Sequence, residues 1–184
     1  MTPGRAAPSL QVPRWLSPAT LLVAVLGIGD AAYLTVEHFR GSSHLAGCKA
    51  GGVINCAKVT TSAESHFLGM PVALLGLIFF VLSIPFLVPA AWRTPDIRVR
   101  AFRQLCAIGG LGFVVWLVFA ELVKIHNICE YCTGVHILTL ILFVLITYGT
   151  VVTAPLPGFD PAEETHDEQG DRNRRRAAKR SANV

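Results

Sequence analysis

This chain is poor in charge. Asp, Glu, Lys and Arg make up only 15% of its 184 residues, whereas 52% are apolar. So little charge excludes a mostly solvated surface. The apolar residues run on without alternation, which excludes a membrane barrel, whose strands alternate between lipid and lumen. No internal repeat is visible. A net charge of +4 leaves no nucleic-acid footprint, because the basic residues gather in segments flanking the apolar runs and in a basic tail; no nucleic-acid partner is expected.

Four long apolar runs remain: Leu16–Val36, Leu68–Trp92, Leu105–Val123 and Cys132–Val152. Each is near the roughly 20 residues that a helix needs to cross about 30 Å of hydrocarbon. Only helices and closed barrels satisfy their backbone there. The fold class expected is therefore all-α: a polytopic membrane four-helix bundle with an extracytoplasmic loop and a short cap helix. Arg14 precedes the first run and Asp30-Ala31-Ala32 offers small residues, as in a signal peptide. Its apolar stretch, however, exceeds the roughly 7–15 residues of a signal core, so it is assigned as a span.

The basic residues give an independent vote on orientation. Twelve of the sixteen Lys and Arg residues fall before the first run, between the second and third, or in the tail. Positive residues favour the cytoplasmic side. Both termini are thus expected in the cytoplasm of a plasma (inner) membrane. Residues 1–15 read as a disordered N-terminus, 16–153 as the membrane domain with an external loop at 37–67, and 154–184 as a disordered tail. In the loop, Gly41, Gly47, Gly51 and Gly52 provide mobility, and Ala57–His66 reads as a short amphipathic helix. Gly69-Met70-Pro71 starts the second span, Arg93–Arg103 forms a cytoplasmic turn, and Lys124–Ile128 links the third helix to the fourth.

Four of the five cysteines fall on the far side. Cys48 and Cys56 lie in the loop, and Cys129-Glu130-Tyr131-Cys132 opens the last span. Residues three apart on a helix share a face, at a spacing compatible with a disulfide. Unpaired N–H groups at a helix start favour the thiolate, so the dipole should assist Cys132 and Cys129. A mobile second pair gives this dithiol something to exchange with. Structural disulfides or a zinc site are the alternatives. Zinc is disfavoured because seven residues separate Cys48 from Cys56, against the usual two to four; no metal is expected. Cys106 falls at the cytoplasmic start of the third run and reads as a small apolar residue.

These residues together resemble the vitamin K epoxide reductase family, specifically its bacterial stand-alone members. The resemblance rests on Cys48-x7-Cys56, Val59 and Ser62 after it, Phe67-Leu68-Gly69-Met70-Pro71, and Cys129-Glu130-Tyr131-Cys132. It implies a quinone in the bundle, with menaquinone favoured over ubiquinone. Cys132 would be the thiol nearest the quinone, Cys129 its exchange partner, Cys48 and Cys56 the shuttle pair, and Ser62 a hydrogen-bonding group for a quinone carbonyl. It also implies a separate thioredoxin-fold extracytoplasmic oxidase as partner, because the tail after Pro161 is too short and polar to be such a domain. The expected activity is thiol-disulfide:quinone oxidoreduction in support of disulfide formation. Two rivals remain: epoxide or naphthoquinone reduction of the animal type, and a non-enzymatic protein with structural disulfides. Against the first, His136 stands where the animal enzymes carry tyrosine.

Other polar residues have weaker readings. Asp30 and Glu121 lie within apolar runs, where charge is costly, and read as structural hydrogen-bonding groups or helpers in protonation. His126 and His136 flank the C-x-x-C and read as proton suppliers near neutral pH or as interfacial or satisfied core histidines. His38, His44 and His66 read as solvated, and Trp92 and Tyr148 as interfacial aromatics.

Overall fold

The computed structural model describes residues 12–41, 45, 48, 53–94 and 96–153. Four apolar helices dominate it. Helix α1 spans Leu16–Arg40 and ends at Gly41, whose φ of 65° lets its N–H return to the Glu37 and His38 carbonyls. Helix α2 is short, Cys56–Thr60, and starts where the Asn55 side chain accepts from the Lys58 N–H at 3.0 Å. A 3-10 turn, Ala63–Ser65, leads into strands β1 (His66–Phe67) and β2 (Met70–Pro71), which pair antiparallel. Leu68 and Gly69 turn this hairpin with φ of 53° and 81°. Helix α3 follows at Val72–Leu87, then α4 at Pro89–Arg93. Helix α5 runs Ile97–Phe119 from an Asp96 cap and widens into a π-helical stretch, Ala120–Ile125. Helix α6, Glu130–Val152, closes the bundle.

Among the described residues, three helical stretches are long and apolar enough to cross a membrane: Leu16–Arg40, Ile97–Ile125 and Glu130–Val152. The fourth apolar helix, α3, has 16 residues, about 24 Å at 1.5 Å per residue. The break at Val88, before Pro89, stops it, and α4 prolongs the path. Large side chains such as Leu22, Leu82, Leu105 and Val115 face outward, each more than half exposed. Such a belt suits hydrocarbon rather than water.

Inside, α1 packs on α3 and α6, and α5 on α6. The core joins Leu16, Ala24, Phe80, Leu87, Trp92, Ala107, Leu142 and Ile146. Gly27 admits the Phe80 ring, which a Cβ at that position would meet at 2.5 Å.

Several expectations change in detail. The cap is not one helix over 57–66: α2 stops at Thr60 and a turn and hairpin follow, because Thr60, Thr61 and Ser62 hydroxyls bond back to local carbonyls. The second span begins at Val72 rather than Leu68, since residues 66–71 are spent on the hairpin. The turn expected over Arg93–Arg103 shrinks to the few residues between Arg93 and Ile97, so Arg98, Arg100 and Arg103 are helical. The link to the last helix likewise shrinks, because helix continues to Ile125. Trp92 is buried rather than interfacial, with the Arg103 guanidinium 3.5 Å above its ring. Tyr148 is half-exposed and stacks on Trp15. The terminal segments 1–11 and 154–184, with Gly47, Gly51, Gly52 and His44 of the loop, lie outside the described residues.

Candidate active site

The four cysteines meet at one end of the bundle. Cys48 and Cys56 form a disulfide, whereas Cys129 and Cys132 are free thiols. Cys56 and Cys129 are both buried, in a cluster with Leu34, Leu45, Val59 and Ile125, and Cys48 and Cys132 pack against that cluster. The loop reaches this place through backbone bonds. The Asn55 N–H donates to the Ile128 carbonyl at 3.1 Å, and the Ile128 N–H donates to the Val53 carbonyl at 2.9 Å. The Asn127 side chain adds a bond to the same Val53 carbonyl at 3.1 Å.

The two thiols of the C-x-x-C are placed differently. Cys129 is the N-cap of α6, and its Sγ accepts from the Cys132 backbone N–H at 3.2 Å. Charge-assisted bonds of this kind favour thiolate. The Cys129 thiol is accordingly held below the ordinary thiol range, by the Cys132 side chain first and by backbone N–H groups as well, against its burial and the Glu121 charge. The end of the helix thus serves Cys129 most directly. Cys132, one turn on, lines a cavity instead.

That cavity holds about 490 Å³, within the usual size for a small-molecule site. Its walls come from α1, the cap, α3, α5 and α6, and they are mainly aliphatic and aromatic, with Phe79 and Phe113 among them. Ser62, Glu121, Cys132, His136 and Thr139 supply polar groups. The Ser62 hydroxyl donates to the Val59 carbonyl at 2.7 Å and must turn away from it to donate into the cavity. At the cap, Lys124 pairs with Glu64 at 3.5 Å, and Phe67 meets Phe113 edge-on at 5.4 Å.

Two residues turn up where sequence reasoning had not put them, and a third, Glu121, takes a place that one of its two readings allowed. Cys106, assigned to a remote cytoplasmic position, lines the cavity, because α5 starts early and carries it along the inner face. His38, read as solvated, is half-buried in the cavity wall and meets the exposed His66 at 5.0 Å. Glu121 is 6% exposed and lines the same space. The signal for two of them was present: Cys106, Gly110, Phe113, Leu117 and Glu121 follow three- and four-residue spacing, one helix face. Of the others, His126 is exposed and turns the chain with a φ of 57°, and Asp30 lies against Gly134, outside the lining. Among the described residues no group of three or more His, Cys, Asp or Glu side chains could hold a metal ion.

The description "Vitamin K epoxide reductase family" belongs to the family profile that matches residues 18–147. The chain belongs to this family. The match covers all four apolar helices except the last residues of α6 and the first of α1, and includes both cysteine pairs and the cavity. No curated protein matches the chain. As a vitamin K epoxide reductase family member the protein is a membrane oxidoreductase of a class that is quinone-linked in general. A flat apolar ring suits the Phe-lined cavity, and a thiol and a hydroxyl face into it.

Proposed function

We propose that this protein is a bacterial-type thiol-disulfide:quinone oxidoreductase that reoxidises an extracytoplasmic dithiol oxidase of thioredoxin fold. The observation that carries the reading is the division of labour among sulfurs. Cys132 lines the cavity, whereas Cys129 and Cys56 are packed together behind it.

In this reading the reduced partner attacks the Cys48–Cys56 disulfide and leaves oxidised. The freed Cys56 thiolate attacks a Cys129–Cys132 disulfide at Cys129, releasing Cys132. Cys48 then attacks Cys56 in the mixed disulfide, which closes the loop pair and frees Cys129. Both inner cysteines end as thiols, ready to pass electrons on. A quinone, when bound, supplies a two-electron acceptor. Cys132 would hold the reacting sulfur against it, Ser62, turning its O–H away from the Val59 carbonyl, would donate to a carbonyl oxygen, and the apolar walls would exclude water. Menaquinone is the favoured quinone. The cysteine pairs are placed on the extracytoplasmic side of the plasma membrane, with both termini inside, by the Lys and Arg bias alone.

Purified wild type and Cys129→Ser, each given a reduced dithiol partner and a quinone, test the reading. Turnover by wild type and none by the variant is expected. Equal rates in both, or no turnover in either, would leave structural disulfides as the better account.

A further inference from the structure

Quinone reduction takes up two protons, and oxidation of two thiols gives up two. Protons cannot be drawn freely from a lipid-facing bundle, so a group in the cavity must move them. Glu121 has the required placement. The π-helical stretch Ala120–Ile125 departs from the α-helical register, a local widening common at functional sites. It leaves Leu122, Val123 and Lys124 exposed while Glu121 is buried in the cavity wall. A carboxylate at membrane depth is costly unless it faces protein or a polar space. Its carboxylate accepts from the Cys129 backbone N–H, which ties it to the first residue of the C-x-x-C. It also acts electrostatically on both sulfurs, Cys129 and Cys132.

We propose that Glu121 carries the thiol protons of the inner cysteine pair to the acceptor bound in the cavity; this rests on reading the cavity as a quinone site. An S–S bond forms between Cys129 and Cys132 as their two S–H bonds break. The two electrons pass to the quinone. Glu121 takes up a thiol proton and releases it to a quinone oxygen, and does so again for the second proton, ending each turnover as it began. Other titratable groups line this space: the Cys132 thiol and His136 from α6, the Cys106 thiol from α5, His38 from α1, and Glu64 from the cap, with the Cys129 thiol packed behind Cys132. Asp30 acts on Cys132 from α1 but lies outside the cavity lining.

Glu121→Gln keeps an acceptor for the Cys129 N–H and removes the exchangeable proton. The variant should reduce a short-chain naphthoquinone about 10²–10⁴-fold more slowly, the usual weight of general acid–base catalysis. Its quinone-free exchange between loop and inner pairs, followed by thiol labelling, should change far less than the quinone rate, because exchange delivers no proton to the quinone. Infrared difference spectra on adding quinone to reduced protein should show a carboxyl band in wild type that E121Q lacks. Glu121→Asp should recover part of the rate with a displaced pH profile, and it carries the test if E121Q does not fold. Wild-type rate and pH profile in the folded variant would overturn the proposal, as would a rate loss matched by lost exchange, which marks a structural role. If wild type itself neither binds nor reduces quinone, the cavity reading fails instead.

Discussion

Asn55 donates its backbone N–H to the carbonyl of Ile128 at 3.1 Å. Asn55 immediately precedes Cys56, and Ile128 immediately precedes Cys129. One short parallel bridge, Ile54 with Ile128, therefore sets the loop cysteine beside the helical one. Thiol exchange requires a thiolate to approach a disulfide along a defined line, and fixing the residues before both sulfurs is an economical way to arrange it.

The bridge can be weakened without touching sulfur. Asn127→Ala removes the 3.1 Å bond to the Val53 carbonyl. A net loss of about 1 kcal/mol in stability is expected, with slower electron transfer from the loop pair to the inner pair. Stopped-flow reduction with a dithiol, read by thiol labelling, measures it; unchanged kinetics would mean that the loop is positioned by other contacts.

Removing Cys132 should trap an intermediate. In Cys132→Ser the inner disulfide cannot close, so a Cys56–Cys129 mixed disulfide, formed when Cys129 attacks the Cys48–Cys56 disulfide at Cys56, can be resolved only backwards by Cys48 and should accumulate. Mass spectrometry of non-reduced peptides detects it. A Cys48–Cys129 linkage would reassign the loop cysteine that meets the helix.

The reduced protein should also form its Cys129 thiolate at a lower pH than an ordinary thiol does. Hydrogen bonds from Cys132 hold the Cys129 thiol below its ordinary range. Its ultraviolet thiolate signal should thus titrate below that of a free thiol, and Cys132→Ala should move the midpoint up. The same depression stabilises the folded reduced protein at pH above the unfolded thiol value, and that contribution disappears as pH falls through the folded value. Equal midpoints in wild type and variant would remove the assigned cause.

Ser62→Ala tests the cap hydroxyl. Loss of one neutral hydrogen bond is worth about 1 kcal/mol, so quinone affinity should fall roughly fivefold with little change in thiol exchange. An unchanged affinity would leave Ser62 with only its bond to the Val59 carbonyl.

The core offers a control far from the chemistry. Gly27→Ala places a methyl against Phe80, a fully buried ring. Overpacking of this kind costs about 1–3 kcal/mol. Thermal unfolding in detergent should show the loss. A neutral outcome would mean that α1 and α3 can separate slightly without penalty.

The membrane bundle was legible in the sequence because lipid imposes a coarse rule: long uninterrupted apolar runs must be helices. The C-x-x-C was legible for a similar reason, as chemistry confined to four adjacent residues. Boundaries were less so. Phe67–Pro71 became a hairpin instead of the head of a helix because Leu68 and Gly69 turn the chain with positive φ, a local backbone preference that hydropathy does not record. Cys106 and Glu121 show the larger gap. Their positions on one face of α5 could be read from spacing, but which face meets a neighbour depends on how α5 lies against α6 and the cap. Sequence alone determined that two cysteine pairs share one end of a helical membrane protein. Only the tertiary structure decided that Cys132 faces a cavity while Cys129 faces the loop, because that depends on the rotation of α6 about its axis and on the backbone bridge from residues 53–55.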